Sequence, residues 1–230
     1  MASTSEVVEF DREDNKKLVE LTGAIDDWGK RYTDSRFYRI YKKFTGDIGE
    51  ALVINELFKN CTSVDKIEWA GGRKVGHDLL VYPGKIKVQV KTARSKNGFR
   101  LLSIPIPIEY RDTLKAAFEA YEGDKNGSFS LSPDIKKIFE ERADATDADY
   151  WVLVNLENSS NPEYYILDKL ELKEFVCDDY KNYIRETKHY KSFKETLGIS
   201  ESNTIEIIPT AKSSLKRLDS YKDKWNKIDR

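Results

Sequence analysis

Cysteine, histidine and methionine are scarce in this 230-residue chain: two Cys (Cys61 and Cys177), two His (His77 and His189) and a single Met. Two thiols cannot build a disulfide framework, and two thiols with two scattered imidazoles do not make a structural zinc cluster. The expectation is a reducing, cytoplasmic setting. Net charge is missing too. Lys and Arg number 39 against 40 Asp and Glu, so bulk basicity gives no argument for a nucleic-acid partner, and any such argument must come from local patches. No run approaches the ~18 consecutive apolar residues of a spanning helix, so no membrane partner is expected. The start, MASTSEVVEFDREDNKK, is polar and acidic and lacks the basic and apolar regions of a secretory signal. No repeat and no Pro-rich or Gly/Ser-rich linker divides the chain. What is present is core material, 39% hydrophobic and 12% aromatic, enough for one domain over 1–230.

Residues 1–34 read as a helical N-terminal extension, with a helix over 11–21 closed by Gly23. Phe37, Ile40, Tyr41 and Phe44 then recur at helical spacing until Thr45 and Gly46 interrupt, and Thr45 is placed to cap a second helix, DIGEALVINELFKN. After it the period changes to that of strands. KIEWA is one, GGRKVG a loop with two cations, and DLLVY and KIKVQVKT a hairpin around Pro83 and Gly84, with FRLLSI as a further strand. A helical insert follows over 105–148. YWVLVNL and EYYIL read as strands, as does TIEIIP, and a charged helix over about 213–228 ends the pattern. The fold class is α/β, a mixed central β-sheet flanked by helices.

Within the hairpin, Tyr82 facing Lys85 across Pro83 and Gly84 puts Asp78 opposite Gln89. Lys91 projects on their face, while Leu79, Val81, Ile86, Val88 and Val90 form the apolar one. At about 100° per residue Glu50 falls on the apolar flank of its helix with Val53, Ile54 and Leu57, away from the polar stripe of Asn55, Glu56 and Lys59. A carboxylate there wants a partner or a metal.

GDIGEALVINELF, HDLLV and KVQVKTA together resemble the PD-(D/E)XK nuclease superfamily in its Gln-x-Lys variant, with Mrr-type restriction nucleases and intron-encoded homing endonucleases as the similar branches. The likeness covers 45–92, with looser agreement over 149–167 and at YKDKW. It implies a restriction-endonuclease-like core that hydrolyses phosphodiester bonds in duplex DNA with Mg²⁺, or Mn²⁺ in its place. Hard divalent cations take oxygen ligands. The resemblance makes Asp78 the anchoring metal ligand, joined by the Gln89 side-chain carbonyl, the Val90 backbone carbonyl and Glu50, with Lys91 positioning water or binding phosphate. Two departures stand out: neutral Gln89 replaces the second acid, and His77 occupies the place of the name-giving proline.

From Lys85 to Arg100 there are six cations (Lys85, Lys87, Lys91, Arg94, Lys96 and Arg100) and no acid. Arg94, Lys96 and Arg100, with Arg73, Lys74 and Lys43, are the candidate DNA-binding residues. Cutting two strands with one site per chain calls for a homodimer or higher oligomer. Two other readings stay open: a structure-selective nuclease acting on junctions, and a non-catalytic DNA-binding or interaction module on the same scaffold.

Overall fold

The computed structural model describes residues 8–14, 38–70, 76–94, 99–101, 104–110, 112–113, 133–158, 161–175, 204–207, 210–211 and 218–229. In chain order the elements are β1 (Val8–Phe10), α1 (Tyr38–Asn60), β2 (Lys66–Trp69), β3 (Leu79–Tyr82), β4 (Ile86–Ala93), β5 (Phe99–Arg100), β6 (Ile104–Pro107), α2 (Pro133–Asp144), β7 (Tyr150–Asn155), β8 (Glu163–Asp168), β9 (Thr204–Ile207) and β10 (Thr210–Ala211). The chain divides into two compact units, one of residues 1–96, 147–169 and 218–230, the other of 97–146 and 170–217.

The first unit is an α/β layer pair built on a mixed sheet of order β1-β2-β3-β4-β7-β8. Every neighbouring pair is antiparallel except β4 and β7, which run parallel. The period-2 pattern of β3 and β4 sends Leu79, Val81, Val88 and Val90 to one face, where they are buried against Val53, Ile54, Leu57 and Phe58 of α1. β1 corrects the helical reading of the N-terminal extension at Val8–Phe10. Its Phe10 ring sits 6.2 Å from that of Trp69, and the strand extends the sheet at β2. The helix expected over 11–21 lies outside the described residues beyond Asp14.

The two helices expected around Thr45 and Gly46 are one helix of 23 residues. In the sequence the apolar positions 40, 41 and 44 continue in phase to Ile48, a pattern that favours continuing the helix against the cost of about 1 kcal/mol for Gly46. Thr45 therefore caps nothing. Its hydroxyl accepts a hydrogen bond from Arg94 Nε at 3.0 Å. The C-terminal end of α1 is held by Arg12, whose guanidinium donates to the carbonyls of Phe58, Cys61 (2.9 Å) and Val64 (3.0 Å) and lies 5.7 Å from the centre of the Phe58 ring. Those carbonyls have no partner further along a helix. Arg12→Ala is expected to cost about 2 kcal/mol in urea unfolding, and Arg12→Lys to recover only part of it, because an ammonium cannot fork to several carbonyls.

The charged terminal helix is also corrected. Residues 218–229 form two short 3₁₀ turns, Asp219–Tyr221 and Trp225–Lys227. Lys222 bridges to Tyr165 and Asp223 takes a positive φ of 52°, which together interrupt any helical run. This geometry buries Leu218, Trp225 and Ile228, with the Trp225 ring 5.5 Å from that of Tyr164.

The second unit contains α2 and two antiparallel strand pairs, β5 with β10 and β6 with β9. α2 agrees with the helical insert expected over 105–148. β6 does not, since Ile104–Pro107 is extended and paired with β9. Among the described residues no helix is long and apolar enough to cross a membrane.

Candidate active site

The hairpin keeps the register read from the sequence, with Val81 opposite Ile86, Leu80 opposite Lys87 and Leu79 opposite Val88. At Asp78 the ladder changes. Val88 already faces Leu79, yet the Asp78 N–H also reaches the Val88 carbonyl at 2.9 Å, so two residues stand against one, as in a β-bulge. The Asp78 carbonyl meanwhile accepts from Ala70 N–H at 2.8 Å, on the other side. The bulge re-aims the carboxylate along the end of the ladder. One oxygen, Oδ2, accepts both the Gln89 side-chain amide and the Val90 N–H, the latter at 2.7 Å.

Strand geometry then locates the Val90 carbonyl. A residue in a strand presents its N–H and C=O to the same neighbour, and Val90 N–H points to the β3 side. β3 begins at Leu79, so strand geometry directs the Val90 carbonyl beyond its end. The Asp78 carboxylate, the Gln89 amide and the Val90 N–H thus meet at one point.

Glu50 reaches the same place from α1. Its carboxylate accepts a hydrogen bond from the Trp69 indole N–H, and Trp69 pairs with Leu79 on the helix-facing side of the sheet. Burial, the nearby negative charge of Asp78 and, to a lesser degree, Asp47 push the Glu50 carboxyl up to about 7, against the lowering effects of Trp69 and Lys91. Burial raises Asp78 as well, opposed by the Val90 N–H, by the charges of Lys91 and His77 and by the Gln89 amide. Lys91 is half-buried, and its ammonium forms no salt bridge among the described residues although both carboxylates feel its charge.

The Glu50 shift has a consequence for stability. A folded-state value of about 7 above an ordinary 4.5 means that the contribution is fully present below pH 4.5 and is lost as pH rises through 7. The full shift corresponds to about 3 kcal/mol. In metal-free protein, Glu50→Gln keeps an acceptor for Trp69 and removes the charge. Urea unfolding is expected to show variant and wild type nearly equal at pH 4.5, and the variant ahead by about 2–3 kcal/mol at pH 8.

Two residues that sequence reasoning passed over help build the site. Trp69 alternates like a core residue, so only its contact reveals its role as the donor to Glu50. Gly49 lets α1 close on β4: a Cβ there would lie 1.8 Å from Thr92 Oγ1. The bases are less complete. Arg73, Lys74 and Lys96 lie outside the described residues, and Lys43 and Arg100 are described only as backbone positions on α1 and β5. Of the six candidate DNA-binding residues, Arg94 alone has a described side chain, and it is engaged by Thr45.

The donor set suits a hard divalent cation. Two partly buried carboxylates held above their ordinary range carry negative charge that a cation would relieve, and every candidate donor is oxygen: Glu50, Asp78, the Gln89 amide carbonyl and the Val90 carbonyl. Among the described residues, no three His, Cys, Asp or Glu side chains gather at one point. No family model, no curated protein and no solved structure matches the chain.

Proposed function

We propose that this protein is a metal-dependent DNA endonuclease with a restriction-endonuclease-like core, acting on duplex DNA as a dimer or higher oligomer. The observation that carries the reading is the end of the β3–β4 ladder, where the Asp78 carboxylate is held by Gln89 and Val90 while Glu50 approaches from α1. Mg²⁺ or Mn²⁺ would be held by Asp78, Glu50 and the carbonyl oxygens of Gln89 and Val90. When bound, such an ion supplies a Lewis acid for the scissile phosphate and lowers the pKa of an attacking water. The chain's own groups do the rest. The Val90 N–H and the Gln89 amide fix one Asp78 oxygen and leave the other for ligation, Trp69 fixes Glu50, and Lys91 presents a cation to the phosphate or to the attacking water.

Incubation of the protein with plasmid and genomic DNA in Mg²⁺, in Mn²⁺ and in EDTA tests this. Cleavage that requires the ion supports the reading, and discrete fragments assign it to the restriction or homing type. Cleavage of branched but not plain duplex would assign it to junctions. The second reading, a DNA-binding module without chemistry, is favoured by a neutral Gln89 where an acid would strengthen metal binding. It predicts that DNA is bound equally well in EDTA and is never cut.

A further inference from the structure

We infer that Asp147 is a positioning residue for the Asp78 site, acting through His77 and Lys87, an inference that rests on the metal-binding reading above. Asp147 is exposed and lies just before β7, far in sequence from the hairpin, yet its carboxylate touches both arms of it. Its Oδ2 lies 3.1 Å from His77 Nδ1, and its Oδ1 accepts from Lys87 Nζ at 2.6 Å. His77 immediately precedes Asp78. Lys87 lies two residues before Gln89 on the same face of β4. One carboxylate therefore ties together the two strands that carry the proposed ligands.

Two further observations fit. Gly76 takes a positive φ of 81°, and a Cβ there would stand 2.9 Å from Asp147 Cβ, so the chain leading into Asp78 is packed directly on Asp147. Asp149 fixes the Lys87 backbone in both directions, accepting its N–H at 2.8 Å and donating to its carbonyl at 2.8 Å. Segment 147–149 thus locks the start of β7 to β4 at the level of the site. The Lys87 and Asp147 side chains are 38% and 45% exposed, and an ion pair that open contributes little to global stability. What it does is hold position, one contact further out than the hydrogen-bond partners of metal ligands.

Mn²⁺ titration followed by EPR on the full chain separates the possibilities, with wild type, Asp78→Ala, Asp147→Ala and Asp147→Asn compared alongside thermal unfolding. Asp147→Ala is expected to weaken Mn²⁺ binding by about 10-fold, the low end for a direct partner of a ligand, while Tm stays within about 4 °C of wild type. Asp147→Asn should lose less, since its carbonyl still serves one of the two donors. His77→Ala and Lys87→Ala should each reproduce part of the loss. Wild-type affinity in Asp147→Ala, with binding abolished in Asp78→Ala, overturns the inference and leaves the metal reading standing. A larger fall in Tm in both Asp147 variants, tracking the loss of Mn²⁺, assigns the residue to folding and also overturns it. Absence of Mn²⁺ binding in the wild type removes both this inference and the reading beneath it.

Discussion

Asp78→Ala is expected to lower ion-dependent cleavage of plasmid DNA by at least about 1,000-fold, equivalent to about 4 kcal/mol of transition-state stabilisation, and to abolish Mn²⁺ binding with it. Asp78 is the residue on which the other donors converge: Gln89 and Val90 both bond to its Oδ2, and its charge is among the causes that raise Glu50. Removing it takes away a ligand and leaves the Gln89 amide and the Val90 N–H without their acceptor. Lys91→Ala is the informative companion. Because an ammonium donates and does not ligate, its loss should lower kcat while Mn²⁺ binding persists. Circular dichroism of both variants checks that the sheet is intact. Cleavage undiminished in Asp78→Ala would remove this site from the chemistry altogether.

Gly49→Ala is expected to destabilise the protein by about 3 kcal/mol or more, the reverse of what helix propensity alone predicts. In an exposed helix interior, alanine in place of glycine gains about 1 kcal/mol. Here the new methyl would fall 1.8 Å from Thr92 Oγ1, 2.9 Å from its Cβ and 3.0 Å from its Cγ2, contacts that force α1 and β4 apart. That separation would move Glu50, the next residue, away from Asp78. Thr92→Ala deletes Oγ1, a hydroxyl that is buried without a partner, and Cγ2, but keeps the Cβ at 2.9 Å, so the double variant should recover part of the loss. The coupling energy from a double-mutant cycle in urea reads this directly. Additive single effects would show that the close approach of α1 to β4 is not what Gly49 provides.

These residues also show how much could be read in advance. The hairpin register was legible because strand alternation and a short Pro83–Gly84 connection leave few ways to pair Leu79–Tyr82 with Ile86–Ala93. Glu50 was legible as a carboxylate on an apolar flank. The bulge at Asp78 was not, since no residue type marks it and it exists only through a second bond to the Val88 carbonyl. Thr45 reads as a cap because local sequence offers its hydroxyl nothing better, whereas the fold offers Arg94. The last residues read as a helix because 3₁₀ turns bury apolar side chains at nearly the same spacing as an α-helix. Asp147 was invisible for a different reason: its partners are brought to it by the parallel pairing of β4 with β7, a contact between distant segments that no local pattern announces.

The site-bearing unit is assembled from three separate stretches of chain, with the second unit's residues arriving in two excursions between them. No single scission separates the two units, so neither can be released as one continuous fragment. The order of synthesis follows from the same threading. Trp225 and Ile228 close the apolar core behind α1 and β8, yet in sequence they lie beyond both excursions. A nascent chain that has already made Glu50, Asp78 and Gln89 still lacks part of the packing that supports them. The core is complete only once the third stretch has emerged, so on the ribosome this unit cannot finish folding before the second unit's residues have been made.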